Sequence, residues 1–112
     1  MQHISKGFLC VALACAPLAL TGSAQSAMPT KAAAVKAGQE IFTSKCFQCH
    51  SVQPDQMRLG PSLYNETKKP HAKKTDAQVR EIVKEGKNKM PAFGDKLTKE
   101  ETDDLLAYIH TL

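Results

Sequence analysis

The sequence predicts an all-α domain of three main helices joined by irregular loops. Three observations carry that expectation. Two segments begin with a threonine-led capping box and continue into an apolar stripe at helical spacing. A third, alanine-rich segment follows Pro29-Thr30 and has one apolar side. No run of alternating apolar and polar residues reads as a strand, and no internal repeat is present.

The 112 residues suffice for one small domain, and the first 27 stand apart from it. Lys6 is followed by an apolar run from Gly7 to Leu20, and then by small residues up to Ala27. That is the three-part pattern of a secretory signal peptide. The run is too short for a comfortable membrane span, and Pro17 interrupts it. Cleavage is expected after Ala27, or after Ala24 by the small-x-small pattern of Gly22-Ser23-Ala24, so residues 28–112 form the working domain. Ala12-Leu13-Ala14-Cys15 loosely resembles a lipid-attachment site, which keeps open a lipid-anchored form through Cys15. Export leaves Cys46 and Cys49 as the only thiols.

The first helix is expected over Lys31 to Lys45, with Thr30 as its N-cap and Val35, Gln39 and Phe42 marking one side. Gly38 sits mid-helix, where glycine costs about 1 kcal/mol against alanine. A close crossing by another helix would explain it. The second helix is expected over Asp76 to Glu85, capped by Thr75 and Gln78, with Val79, Ile82 and Val83 as its stripe and Gly86 as its stop. The third runs from Lys99 to Thr111 behind Thr98 and Glu101, with Leu105, Leu106, Tyr108, Ile109 and Leu112 apolar.

Between the first two helices stands Cys46-Phe47-Gln48-Cys49-His50. Two thiols three positions apart with an adjoining imidazole read as a c-type haem attachment site. The thiols add to the two vinyl groups of haem, and the adjoining histidine can give iron a nitrogen ligand. Other readings of the motif are a chance match, half a zinc site or a redox pair. A structural zinc site needs four ligands, and no second ligand pair exists. A thioredoxin-like pair needs a βαβ context, which this sequence lacks. A domain of this size buries a modest fraction of its surface and gains from a staple, which a covalent haem supplies. About 25 residues after the motif, with Pro54, Gly60, Pro61 and Pro70, have no periodicity. Such a stretch needs something to organise it, and a haem edge would do so.

Haem iron has a second axial position, for which Met28, Met57, Met90, His71 and His110 are candidates. Met28 is near the mature terminus, and Met57 is too close to His50 in sequence to reach the other side of the ring. His110 suits the end of the third helix. Met90 follows the Gly86 stop and precedes Pro91, whose fixed φ stiffens the loop. Met90 is the preferred ligand, with His71 in its lysine-rich loop as the rival.

The arrangement resembles the class I c-type cytochromes, small monohaem electron carriers. The resemblance rests on Gly38 and Phe42, Cys46 to His50, Leu59-Gly60-Pro61-Ser62-Leu63, Asn88-Lys89-Met90-Pro91-Ala92-Phe93, and Leu105, Tyr108 and Ile109. It covers nearly all of residues 28–112. It implies a cytochrome c fold of three main helices and loops around one covalent haem c. It also implies cofactor-binding Cys46, Cys49, His50, Pro61, Leu63 and Met90, with His50 and Met90 on iron. The Pro61 carbonyl should orient His50, Leu63 should pack on the ring, and Gly38 and Phe42 should cross the third helix near Tyr108. Many relatives have a tryptophan near that crossing and a glycine where Tyr64-Asn65 stand; this chain departs at both.

The expected function is single-electron transfer between respiratory or dehydrogenase partners by an exported, periplasmic, monomeric protein with no catalytic residues. The alternatives are a haem c subunit and a gas-binding or catalytic haem protein with a displaceable Met ligand. The formal net charge is +4, and loss of Lys6 leaves +3. Basic residues concentrate between Glu66 and Met90 and acidic ones after Asp95. That asymmetry can orient an encounter with a redox protein bearing an acidic docking surface. Aromatic residues are few and not interleaved with basic ones, which argues against nucleic acid.

Overall fold

The computed structural model describes residues 28–68, 70 and 72–112. The expected signal peptide, Cys15, Lys69 and the rival ligand His71 lie outside these described residues. Helix α1 spans Lys31–Ile41, α2 Asp76–Glu85 and α3 Lys99–Ile109. No strand occurs among the described residues; the one bridge joins Lys87 and Met90.

Thr30 caps α1 by accepting from the Ala33 amide at 3.3 Å. The α-helix stops at Ile41, short of the expected Lys45, and Phe42–Cys46 form a π-helical turn. The Phe47 amide donates to the Phe42 carbonyl five residues back at 2.9 Å. Hydroxyls compete for the carbonyls here: Thr43 donates to Gln39 O at 2.8 Å and Ser44 to Ile41 O at 3.0 Å. The widened turn lets Phe42 bury fully while Cys46 still packs on the same cluster.

Gly38 is where α1 crosses α3. A Cβ at this position would lie 1.9 Å from the Asp104 carbonyl oxygen and 2.9 Å from Tyr108 Cβ. One turn on, Phe42 meets Tyr108 with ring centroids 5.4 Å apart. Phe42, Leu105, Leu106 and Ile109 join Val79 and Val83 of α2 and Leu97 to form the core. Both expected capping boxes are present, at Thr75–Gln78 and Thr98–Glu101. Helix α3 ends at Ile109 rather than Thr111, with His110 as its C-cap.

The aperiodic segment after the motif is knitted by its own polar groups. Ser51 is buried, accepts from the Gln53 amide at 3.0 Å and donates to the Gln56 side chain. Glu66 is buried as well; its carbonyl accepts from the amides of Lys73 and Lys74, and its carboxylate pairs with Lys74. Asn65 has φ 55°. It takes the left-handed conformation that asparagine tolerates better than most residues.

Candidate functional site

The Cys46-to-His50 motif leaves the π-turn as a tight bend, with the amides of Cys49 and His50 both donating to the Cys46 carbonyl, at 3.0 and 2.9 Å. Both thiols are half-buried. Burial pushes the Cys46 thiol up to about 11; Lys45 opposes this and Cys49 adds to it. A thiol held protonated at neutral pH is a poor redox nucleophile. Among the described residues no cluster of three or more His, Cys, Asp or Glu side chains could hold a metal ion. The protonated thiol weighs against the redox-pair reading, and the lack of further ligands among the described residues against the zinc one.

His50 is fixed from two sides. Its Nδ1 lies 2.8 Å from the Pro61 carbonyl oxygen. A carbonyl can only accept, so Nδ1 carries the proton and Nε2 keeps its lone pair for a metal. Beneath the ring is Gly60, whose amide donates to the Cys49 carbonyl at 2.7 Å. A Cβ there would lie 2.7 Å from His50 Cε1 and 3.0 Å from Nδ1. Glycine is therefore required by close approach of the ring.

Met90 is half-buried at the end of a turn that closes on α2. Its amide donates to Lys87 O at 2.9 Å and its carbonyl accepts from Lys87 N at 3.1 Å. Gly86 at φ 76° and Asn88 at φ 55° make that reversal. A Cβ on Gly86 would meet the Met90 carbonyl oxygen at 2.6 Å. The Phe93 amide then returns to Val83 O at 2.9 Å. Cys46, Leu63, Met90 and Phe93 all pack, partly buried, against the one hydrophobic core. Three distant segments thus bring a thiol, an aliphatic group and a thioether to one apolar surface.

The other candidate ligands separate clearly. Met28 is 90% exposed and Met57 76%. Both ring nitrogens of His110 are engaged, Nδ1 with Thr67 Oγ1 at 3.0 Å and Nε2 with Asp76 Oδ2 at 3.1 Å. Two surface clefts of about 380 and 530 Å³ flank α2, and neither is lined by Cys46, Cys49 or His50.

A histidine with its free Nε2 fixed in direction, a half-buried thioether and two thiols on one bend fit a haem with one nitrogen and one sulfur ligand. Residues 33–109 match the family model described as cytochrome C oxidase, cbb3-type, subunit III. The chain belongs to this family of c-type cytochrome domains. It is similar to a cytochrome c6-like protein of Nostoc sp., 33% identical over 72 residues that cover 64% of this chain and 65% of that protein. It is also similar to cytochrome c6 of Gracilaria tenuistipitata var. liui, 30% identical over 80 residues that cover 71% of this chain and 74% of that one. The chain thus spans just under two thirds of the first of these relatives. No solved structure gives a significant match. As a member of this family the cytochrome carries one covalently attached haem c. Its fold is the all-α one expected, and among the described residues no helix is long and apolar enough to cross a membrane.

Some features of the site carry no sequence signal. The Arg58 guanidinium lies over the Phe47 ring, 4.2 Å from its centroid. The basic run is also partly neutralised, because Lys74 pairs with Glu66 and Arg80 with Asp103. Lys87 and Lys89 are exposed and have no ion-pair partner among the described residues.

Proposed function

We propose that this cytochrome is an exported single-electron carrier, acting as a shuttle rather than as an enzyme. Residues 1–27 serve as its signal peptide and residues 28–112 as its monohaem domain, delivered to the periplasm. Cys46 and Cys49 would hold the haem as thioethers, and His50 Nε2 and Met90 Sδ would be the iron ligands. Bound haem supplies a one-electron ferric–ferrous couple. Pro61 keeps His50 in the metal-binding tautomer through both oxidation states, so little rearrangement accompanies electron transfer. Leu63 and Phe93 keep water from the ring, and Met/His ligation raises the potential.

The observation that carries this reading is the 2.8 Å Nδ1–Pro61 contact with Gly60 packed under the ring. It holds the His50 ring with Nε2 turned away from the Pro61 carbonyl, which supports a role as an iron ligand. The test has two parts. Haem should remain bound after denaturation in the wild type and be lost from the C46S/C49S protein. The ferrous wild type should refuse carbon monoxide, and M90A should bind it. Carbon monoxide binding by the wild type at the level of M90A would overturn the carrier reading in favour of a gas-binding protein.

Partners are redox proteins whose acidic surfaces meet exposed Lys87 and Lys89. Electron exchange with such a partner should slow as salt rises, because screening removes the steering. The name of the matching family supports one second reading, a domain working while docked as a subunit. Co-purification with a membrane complex in stoichiometric amount would favour it over a free shuttle.

A further inference from the structure

We infer that Arg58 is a positioning residue for the redox couple, a fixed cation clipped onto the attachment motif that favours the ferrous form. The inference rests on the proposed attachment of haem through Cys46 and Cys49.

Arg58 sits between two strongly exposed side chains, Met57 at 76% and Leu59 at 84%. Its own side chain is held in place. Nη1 donates to the Phe47 carbonyl at 2.9 Å, and the guanidinium carbon lies 4.2 Å from the centroid of the same residue's ring. The backbone is held too: the Arg58 amide donates to Gly60 O at 3.1 Å, and the Gly60 amide donates to Cys49 O at 2.7 Å. Phe47 stands between the two cysteines and is itself braced edge-on by Phe42, with centroids 6.4 Å apart. The charge is therefore tied to the residue between the two attachment points.

No carboxylate neutralises it. Arg58 has no ion pair among the described residues, and Asp55, the nearest acid in sequence, makes none with it. A planar guanidinium can stack on the ring and bond the carbonyl at once. Oxidation of the iron adds one positive charge to the site. A fixed cation beside it opposes that step and raises the potential.

The test is equilibrium redox titration of haem-loaded wild type, R58Q and R58K at low and high salt, with thermal unfolding of each. R58Q should lower the ferrous-to-ferric ratio at a fixed ambient potential about threefold, the size expected of a partly solvated unit charge. At 59 mV per tenfold for one electron that is a fall of about 30 mV. The difference should shrink at high salt. R58K keeps the charge and should recover most of the potential, which also tests the inference if R58Q does not fold. Equal midpoints in R58Q and wild type, or an R58K midpoint as low as that of R58Q, would overturn it. Wild type lacking acid-stable haem would instead overturn the attachment reading on which it rests.

Discussion

Gly38→Ala is the sharpest test of the fold that supports the site. In an ordinary exposed helix this change stabilises, because glycine costs about 0.5–1 kcal/mol relative to alanine. Here the added Cβ would stand 1.9 Å from a backbone carbonyl oxygen of α3 and 2.9 Å from Tyr108 Cβ. Ordinary contact begins at 3.4 Å, so α1 and α3 must part by about 1.5 Å. The obstacle is backbone and cannot rotate away. Parting loosens Phe42 against Tyr108 and Leu105, and dispersion falls steeply over such a gap. Overpacking of this kind costs roughly 3 kcal/mol at the upper end of its usual range. Offset by the helix-propensity gain, the net loss is about 2 kcal/mol. For a domain of this size that lowers Tm by roughly 8–16 °C. Thermal unfolding of the haem-loaded protein, followed by far-ultraviolet circular dichroism, reads it directly. A G38A protein as stable as wild type, or more so, would refute the crossing geometry.

Further outcomes follow from other contacts. G60A should weaken His50 coordination, since its Cβ would press on the ring at 2.7 Å; a displaced histidine would appear as a changed ferric spectrum. H110A removes the link between α3, Thr67 and Asp76 and should cost about 1–2 kcal/mol in denaturant unfolding; no loss would show that the link is idle. Lys74→Met leaves the buried Glu66 carboxylate without its cation and should cost about 3 kcal/mol or more, read as a lower denaturant midpoint at unchanged slope. Lys99 first, and then Arg80, hold the Asp103 carboxyl below its ordinary 3.8. A lowered carboxyl contributes stability above the ordinary value and loses it as pH falls through the lowered one. Wild type should therefore lose stability below about pH 3.8 more steeply than D103N, whereas parallel acid limbs would contradict the pairing.

Much of the fold was legible because its signals are local. A threonine followed three residues later by Gln78 or Glu101 satisfies amides within one turn, so both capping boxes could be read without knowing any partner. Gly38 was legible as a candidate crossing because a close helix approach would explain a glycine that otherwise costs helix stability. The π-turn was not foreseen, because it depends on how Thr43 and Ser44 compete with the backbone while Phe42 is drawn into the core. Nor could sequence show that Glu66 and Thr67 are buried, since their partners Lys74 and His110 meet them only through the loop path.

The sequence by itself determined the chemistry: two thiols and an imidazole in one pentapeptide, a thioether before proline, three helices, and the family to which these belong. Tertiary structure decided which groups are free to use that chemistry. It engaged both nitrogens of His110, set Met57 in solvent, packed Met90, Cys46 and Leu63 against one hydrophobic cluster, and turned the Pro61 carbonyl onto His50 Nδ1. The physical reason is range. Capping and motif spacing act over a few residues, whereas hydrogen-bond occupancy and burial are set by whatever distant segment the chain brings alongside.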